Sequence, residues 1–325
     1  MSFPFNFFAA AFLGAGLTSL LGLPLWRKWC IRINLVDDPG HRKIHDTPMP
    51  LAGGLAVLTG ILLPPILGAI LLKLGFRQLS FAGLIVHGLD RRGLELMVLA
   101  AGAVAITLLG VLDDRHELAA LPKFLAQLLI AIAVAAACKR ITLFVHSEVF
   151  SYAATVIWLL TVINAFNFMD NMNGLCAGVG AIGALLFAFI AWANGEYLVA
   201  ITGFLVSGAL AGFLPWNFPQ ARSFLGDAGS HLVGYLLAVM AILPHFYTRL
   251  NPHPLAVLAP LLVLAVPLLD LAQVSGFRTL RRKPFWVGDT NHLSHRLVRA
   301  GLSRTRAVLV LWLAAVVIGS LATWL

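Results

Sequence analysis

The chain has 325 residues, of which 60% are hydrophobic and 11% charged. Soluble proteins carry roughly 25% charged residues, so lipid must be the main solvent of this chain and no soluble domain is left to find. Its formal net charge of +9 would suit nucleic acid or an anionic membrane surface, but no basic face interleaved with base-stacking aromatics is visible, which excludes nucleic acid as a partner and leaves the bilayer.

A helix needs about 20 apolar residues to cross the hydrocarbon core. Ten such runs follow in chain order, at 4–26, 51–74, 94–112, 123–138, 149–167, 177–193, 197–213, 231–247, 255–272 and 305–324. No Lys or Arg precedes Arg27, so the first run lacks the charged start of a secretory signal and reads as a retained span with its N-terminus outside. Counting from there, the inner segments hold sixteen of the 23 Lys and Arg, while Lys73, Arg77, Arg91, Arg92, Lys139, Arg140 and Arg249 fall outside. That is the positive-inside bias, and it puts both termini outside. The cysteines Cys30, Cys138 and Cys176 sit in or beside apolar runs without CxxC spacing and read as packing residues. With no repeat, low-complexity tract or linker, the reading is a single domain over 1–325, an all-α integral membrane bundle of about ten transmembrane helices.

An acid near a bilayer is costly and is a functional hypothesis by default. Most fall at inner helix ends: Asp113 and Asp114 in GVLDDR, Asp170 in NAFNFMDNMNG, and Asp227 in FLGDAGS. An adjacent acid pair after a span is also what a solvated helix terminus looks like. The coincidence of several inner loops argues for a site. GDAGS joins an acid to small residues that let a backbone approach a ligand, and NAFNFMDNMNG brings several oxygen ligands into one turn region. Hard oxygen donors in this pattern suit Mg2+, with Mn2+ as the alternative. His292 and His295 are spaced i, i+3 and would share a helix face, able to hold a phosphate or a metal. Arg281, Arg282, Lys283, Arg296 and Arg299 surround them, and in the first inner loop Arg42, Lys43 and His45 precede a Gly pair. Phosphate contact and plain charged anchoring are both open for these cations. Divalent metal, carboxylates, bases and a lipid interface together fit phosphoryl transfer from a soluble diphosphate to a lipid phosphate.

Five motifs in order, RKIHDTPMPLAGG, LLGVLDDR followed by Lys123 and Gln127, NAFNFMDNMNGLCAG, NFPQARSFLGDAGS and HLSHRLVRAGLS, resemble those of the polyprenyl-phosphate N-acetylhexosamine-1-phosphate transferases of glycosyltransferase family 4, a superfamily that includes the phospho-muramoyl-pentapeptide translocase. The first motif is similar to the form in the branch that uses UDP-N-acetylglucosamine-type donors, which favours an initiator of cell-envelope glycan synthesis. The resemblance implies a ten- or eleven-helix bundle with a cytoplasmic cleft, commonly a homodimer, in a bacterial inner membrane. It implies that a sugar 1-phosphate passes from a UDP-sugar to polyprenyl (undecaprenyl) phosphate with release of UMP. By the same resemblance Asp227 coordinates Mg2+, Asp113 is the general base on the lipid phosphate with Asp114 beside it, and Asn167 and Asp170 line the nucleotide site. Asn217 would support the diphosphate or nucleotide, Lys43 would meet a phosphate, His292 or His295 would help hold the diphosphate, and Asn173 and Arg296 complete the substrate contacts. Two positions depart from the family pattern. Asn173 stands where an acid is usual, in place of the second Asp of DGxDG, and Ser294 where a third His is usual. The translocase, a transporter and an inactive scaffold are the competing readings. Transporters place their sites at midplane in repeated halves, whereas here the acids lie at helix ends.

Overall fold

The computed structural model describes residues 4–38, 47–73, 82–138, 140–244, 246, 254–282 and 291–325. The order is α1 (Phe5–Arg32), a short hairpin of β1 (Val36–Asp37) and β2 (Met49–Pro50), α2 (Gly53–Lys73), α3 (Ala82–His116), α4 (Ala120–Ala137), α5 (Glu148–Met169), α6 (Leu175–Ala193), α7 (Tyr197–Asn217), α8 (Gly226–Met240), α9 (Ala259–Val263), α10 (Ala265–Leu280), α11 (Leu293–Arg299) and α12 (Arg304–Ser320). Among the described residues eight helices are long and apolar enough to span a membrane, or nine if the bent pair Pro254–Val263 and Ala265–Leu280 is one span. The chain is thus an all-α multi-pass membrane protein, with the expected ten runs resolved into somewhat fewer spanning helices.

Two of those runs behave differently from their sequence reading. The ninth, expected as one span over 255–272, bends by 73° between α9 and α10. Pro267 supplies the cause: it lacks an N–H and its ring crowds the carbonyl four residues back, at Val263, where α9 stops. The eighth, expected over 231–247, is α8, only 15 residues long. Every residue from Ala228 to Met240 is buried, because α2, α3, α5 and α6 all pack on it.

Glycine permits the closest of these packings. A Cβ at Gly54 would fall onto the Gly229 backbone, and one at Gly110 onto Ala228, so α2 and α3 meet α8 at backbone contact, as small residues allow in membrane bundles. Gly208 and Gly212 of α7 do the same against Phe12 and Gly16 of α1. The opposite face of α1 exposes Leu13, Leu17, Leu21 and Leu25, a stripe at i, i+4 spacing suited to lipid. Of the small residues of GDAGS, read from sequence as letting a backbone approach a ligand, Gly229 serves helix contact and Gly226 lets the backbone approach Asp114, as described below.

The hairpin pairs Val36 with Pro50 and Asp37 with Met49. Pro50 O then accepts the Phe224 N–H at 3.0 Å and Ser223 Oγ–H at 2.8 Å, while Gly53 N and Gly54 N donate to Phe224 O and Leu225 O. The first loop is thereby fixed to the loop that precedes α8.

Candidate functional site

The end of α3 and the start of α8 form the floor of the site. Asp114 accepts the backbone N–H groups of Asp227 at 2.8 Å and Ala228 at 3.1 Å, acting on α8 as an N-terminal cap supplied by another helix; a negative charge suits that end. Gly226 precedes with φ +74, and a side chain there would meet the Asp114 carboxylate. Only glycine satisfies both the left-handed backbone and the close approach.

Lys123, from the first turn of α4, lies 2.5 Å from Asp113 Oδ2 and 3.2 Å from Asp227 Oδ2. Asp113 Oδ1 accepts the Leu118 N–H at 2.9 Å. Asn167 of α5 donates to Asp227 Oδ1 at 2.7 Å and to Ser230 Oγ at 3.0 Å. Behind it Asn164 donates to Gln127 Oε1 at 2.9 Å. Asp227 is therefore oriented by an amide and a cation, yet its side chain stays 36% exposed against 6% for Asp113.

A cavity of about 710 Å3 opens on this floor, lined among others by Asp114, Asp170, Asn173, Asn217, Asp227, His295 and Arg304. Its walls come from the loops after α5 and α7 and from α11 and α12. Burial, reinforced by the charges of Asp227 and Asp114, pushes the Asp170 carboxyl up to about 8. Three acids thus face one space, which favours the arrival of a cation.

Several sequence expectations are refined here. Asn217, expected to support the diphosphate or nucleotide, uses its amide within the protein: its Oδ1 accepts the Gly174 N–H at 2.5 Å and its Nδ2 donates to Ser223 O at 3.0 Å. It reaches the cavity as a brace between two loops. Asn173 donates to Pro219 O at 3.3 Å, a bond an aspartate could not make. Ser294 Oγ donates to Asn171 Oδ1 at 2.6 Å. Asp113, Asn167, His292 and Arg296 stand outside the cavity lining among the described residues. Lys43 lies outside the described residues.

His292 and His295 do not share a helix face. His292 sits just before α11, buried, with Nδ1 2.7 Å from Asp270 Oδ2, whereas His295 lines the cavity. Burial, then His292, Arg299 and Arg304, hold the His295 pKa below its ordinary value, with Asp270 opposing. Arg296 donates to Gln273 Oε1 at 2.6 Å.

Sequence reasoning gave no role to Lys123, Asp270 or Arg304. Lys123 stood in a quoted motif and Arg304 among the flanking charges. Asp270 carried the strongest unused signal, an acid inside an apolar run.

Among the described residues no three His, Cys, Asp or Glu side chains form a metal-holding group. Mg2+ does not require one, since it keeps waters and uses one or two carboxylates with substrate phosphates. Asp227 could fill that role: its side chain is 36% exposed on the cavity and its oxygens meet the Asn167 amide and the Lys123 ammonium, side chains that can turn aside, while both Asp114 oxygens are spent on backbone N–H groups.

Residues 96–245 match the model of glycosyl transferase family 4. A Bacillus subtilis (strain 168) protein named "Probable undecaprenyl-phosphate N-acetylglucosaminyl 1-phosphate transferase" is 32% identical over 330 residues, covering 97% of this chain and 86% of that protein. The decaprenyl-phosphate N-acetylglucosaminephosphotransferase of Mycobacterium tuberculosis (strain ATCC 25618 / H37Rv) is 33% identical over 317 residues, covering 89% and 76%. The undecaprenyl-phosphate alpha-N-acetylglucosaminyl 1-phosphate transferase of Escherichia coli (strain K12) is 28% identical over 310 residues, covering 91% and 77%. With that similarity running along nearly its whole length, the chain belongs to glycosyl transferase family 4.

Proposed function

We propose that the chain transfers N-acetylglucosamine 1-phosphate from a UDP-sugar to a polyprenyl phosphate, releasing UMP and leaving a lipid-linked diphosphate sugar. The observation that carries this reading is the gathering of Asp114, Asp170, Asp227 and His295 around one cavity at one end of a membrane bundle, with Lys123 and Asp113 beside Asp227. That end faces the cytoplasm on the distribution of Lys and Arg, where a nucleotide sugar is available.

Phosphoryl transfer needs positioning and charge neutralisation more than covalent help. On the wall of the same cavity Arg304 presents a cation and His295 a largely neutral imidazole, and the two receive the donor diphosphate. Mg2+, held by Asp227, would neutralise that diphosphate when bound. Lys123 is the cation an incoming acceptor phosphate meets; as it turns to that phosphate, the Asp113 carboxylate it held is released to take any remaining acceptor proton. The acceptor oxygen then attacks the sugar-linked phosphorus in line, the new P–O bond forms, and the bond to UMP breaks. Direct attack is favoured over an aspartyl-phosphate because Asp114 has both oxygens bound to backbone N–H groups. Trapping phosphate on Asp113 or Asp114 would reverse that preference.

The test is UMP release by detergent-purified protein given undecaprenyl phosphate, Mg2+ and a panel of UDP-N-acetylhexosamines, with Asp113→Asn as control. Release with UDP-N-acetylglucosamine that disappears in the control is the expected result. Silence across the panel, peptide-bearing donors included, would overturn the reading.

A further inference from the structure

Asp270 lies within α10 at 3% exposure, where a lone carboxylate is costly. Both of its oxygens are engaged. Oδ2 is 2.7 Å from His292 Nδ1, and Oδ1 accepts the Leu293 N–H, the first of α11, also at 2.7 Å. An ionised carboxylate only accepts hydrogen bonds, so His292 Nδ1 carries a proton and the tautomer is set.

The rest of α11 is braced in the same way. Gln273, one turn further along α10, donates to Asn291 O at 2.8 Å and accepts from Arg296 at 2.6 Å. From the other side Asn171 accepts the Ser294 hydroxyl. At 7 residues α11 is far below the roughly 12 to 15 at which a helix begins to hold itself in water, so these contacts decide where it stands. What it carries into the cavity is His295, whose ring centroid is 6.1 Å from that of His292.

We propose that Asp270 is a positioning residue for the donor: by fixing the start of α11 and the Nδ1–H form of His292, it holds His295 on the wall of the cavity that Asp114, Asp170 and Asp227 also line, where the diphosphate of a nucleotide sugar is received. This rests on the reading of the cavity as the donor site. Asp270→Asn is the sharpest probe because it keeps shape and leaves one acceptor oxygen for two N–H donors. Either the Leu293 bond or the His292 bond must then fail, or the imidazole must change tautomer.

The experiment compares the wild-type chain with Asp270→Asn, His292→Ala and the double variant. Three quantities are read: calorimetric affinity for UDP-N-acetylglucosamine with Mg2+, the donor KM and kcat of UMP release, and the thermal midpoint. Asp270→Asn should weaken donor affinity and raise KM about tenfold or more while kcat stays within about threefold. In the His292→Ala background it should add no further loss. Wild-type affinity in Asp270→Asn, a loss additive with His292→Ala, or a fall in kcat at unchanged KM overturns the proposal. If Asp270→Asn does not accumulate, His292→Ala carries the test, and wild-type affinity there overturns the proposal as stated, because it removes His292 from the chain of contacts that holds His295. A wild-type chain that binds the donor without releasing UMP overturns the transferase reading and leaves Asp270 judged by affinity alone.

Discussion

The carboxylate of Asp114 accepts the backbone N–H of Asp227 at 2.8 Å, so one candidate catalytic acid builds the turn that presents the other. The two should therefore fail differently. Asp114→Asn retains a single acceptor oxygen for the two N–H groups and should lose about 1 to 2 kcal/mol of stability, as loss of a helix cap does, together with activity. Asp227→Asn should leave the thermal midpoint nearly unchanged while Mg2+-dependent turnover falls about 100-fold or more. Thermal unfolding in detergent beside UMP release separates them; wild-type rates in Asp227→Asn would sink the metal assignment.

Lys123 is shared by Asp113 and Asp227 at 2.5 and 3.2 Å. Removing one partner of a largely buried pair costs about 3 to 5 kcal/mol because the remaining charge is stranded, and here two acids would be stranded together. Lys123→Ala should unfold at lower temperature without divalent cation, and added Mg2+ should restore part of the loss. An equal response of variant and wild type to Mg2+ would argue that the cation binds elsewhere.

Asn217 joins the Gly174 N–H to the Ser223 carbonyl. Asn217→Ala leaves both buried groups unpaired and should cost about 1 to 3 kcal/mol. Asn217→Asp still accepts from Gly174 but sets a second acceptor against the Ser223 carbonyl, so it should destabilise as well. Equal stability of wild type and Asn217→Ala, with only the donor KM altered, would return this residue to the substrate-contact role expected from sequence.

The carboxyl of Asp170, pushed up to about 8, sets a pH dependence whose sign can be worked out. Its folded pKa lies above the roughly 3.9 of an exposed aspartate, so the folded state binds the proton more tightly. That stabilisation is present at low pH and is lost as pH rises from about 4 through 8. Without divalent cation, the thermal midpoint should fall as pH climbs through this window, and Asp170→Asn should flatten the fall. A midpoint in Asp170→Asn that tracks the wild type across the window would refute it.

At Gly54 the packing against Gly229 leaves no room for a side chain. Gly54→Val should prevent α2 from seating on α8, seen as loss of the monodisperse peak in size exclusion, whereas Gly68→Ala, which meets nothing nearby, should behave as wild type.

Much of the site was legible because charge is scarce: against an apolar background Asp113, Asp114, Asp170 and Asp227 each stand out, and alternation of spans sends their loops to one end. Asp270 was missed because it lay inside an apolar run and was absorbed into the ninth span; an acid paired with His292 across 22 positions leaves no local pattern. His292 and His295 were read as one helix face because i, i+3 spacing presumes a helix through both, and α11 begins only after His292. The length of α8 was hidden for another reason: burial against protein and burial in lipid select the same residues. Gly54 and Gly229 show the same ambiguity, since closeness to a ligand and closeness to another helix both ask for a missing side chain.

The sheathing of α8 sets what the bilayer can do to the chemistry. At 15 residues and about 1.5 Å per residue, α8 is about 22 Å long, short of the roughly 30 Å of a hydrocarbon core. Since α1 and other outer helices carry the lipid-facing surface, thinning or thickening of the membrane tilts the outer wall first. Asp227, mounted at the head of an axle that touches no lipid along Ala228 to Met240, keeps its place relative to Asp114 and Lys123 while the wall adjusts, so turnover should vary little among bilayers of different thickness.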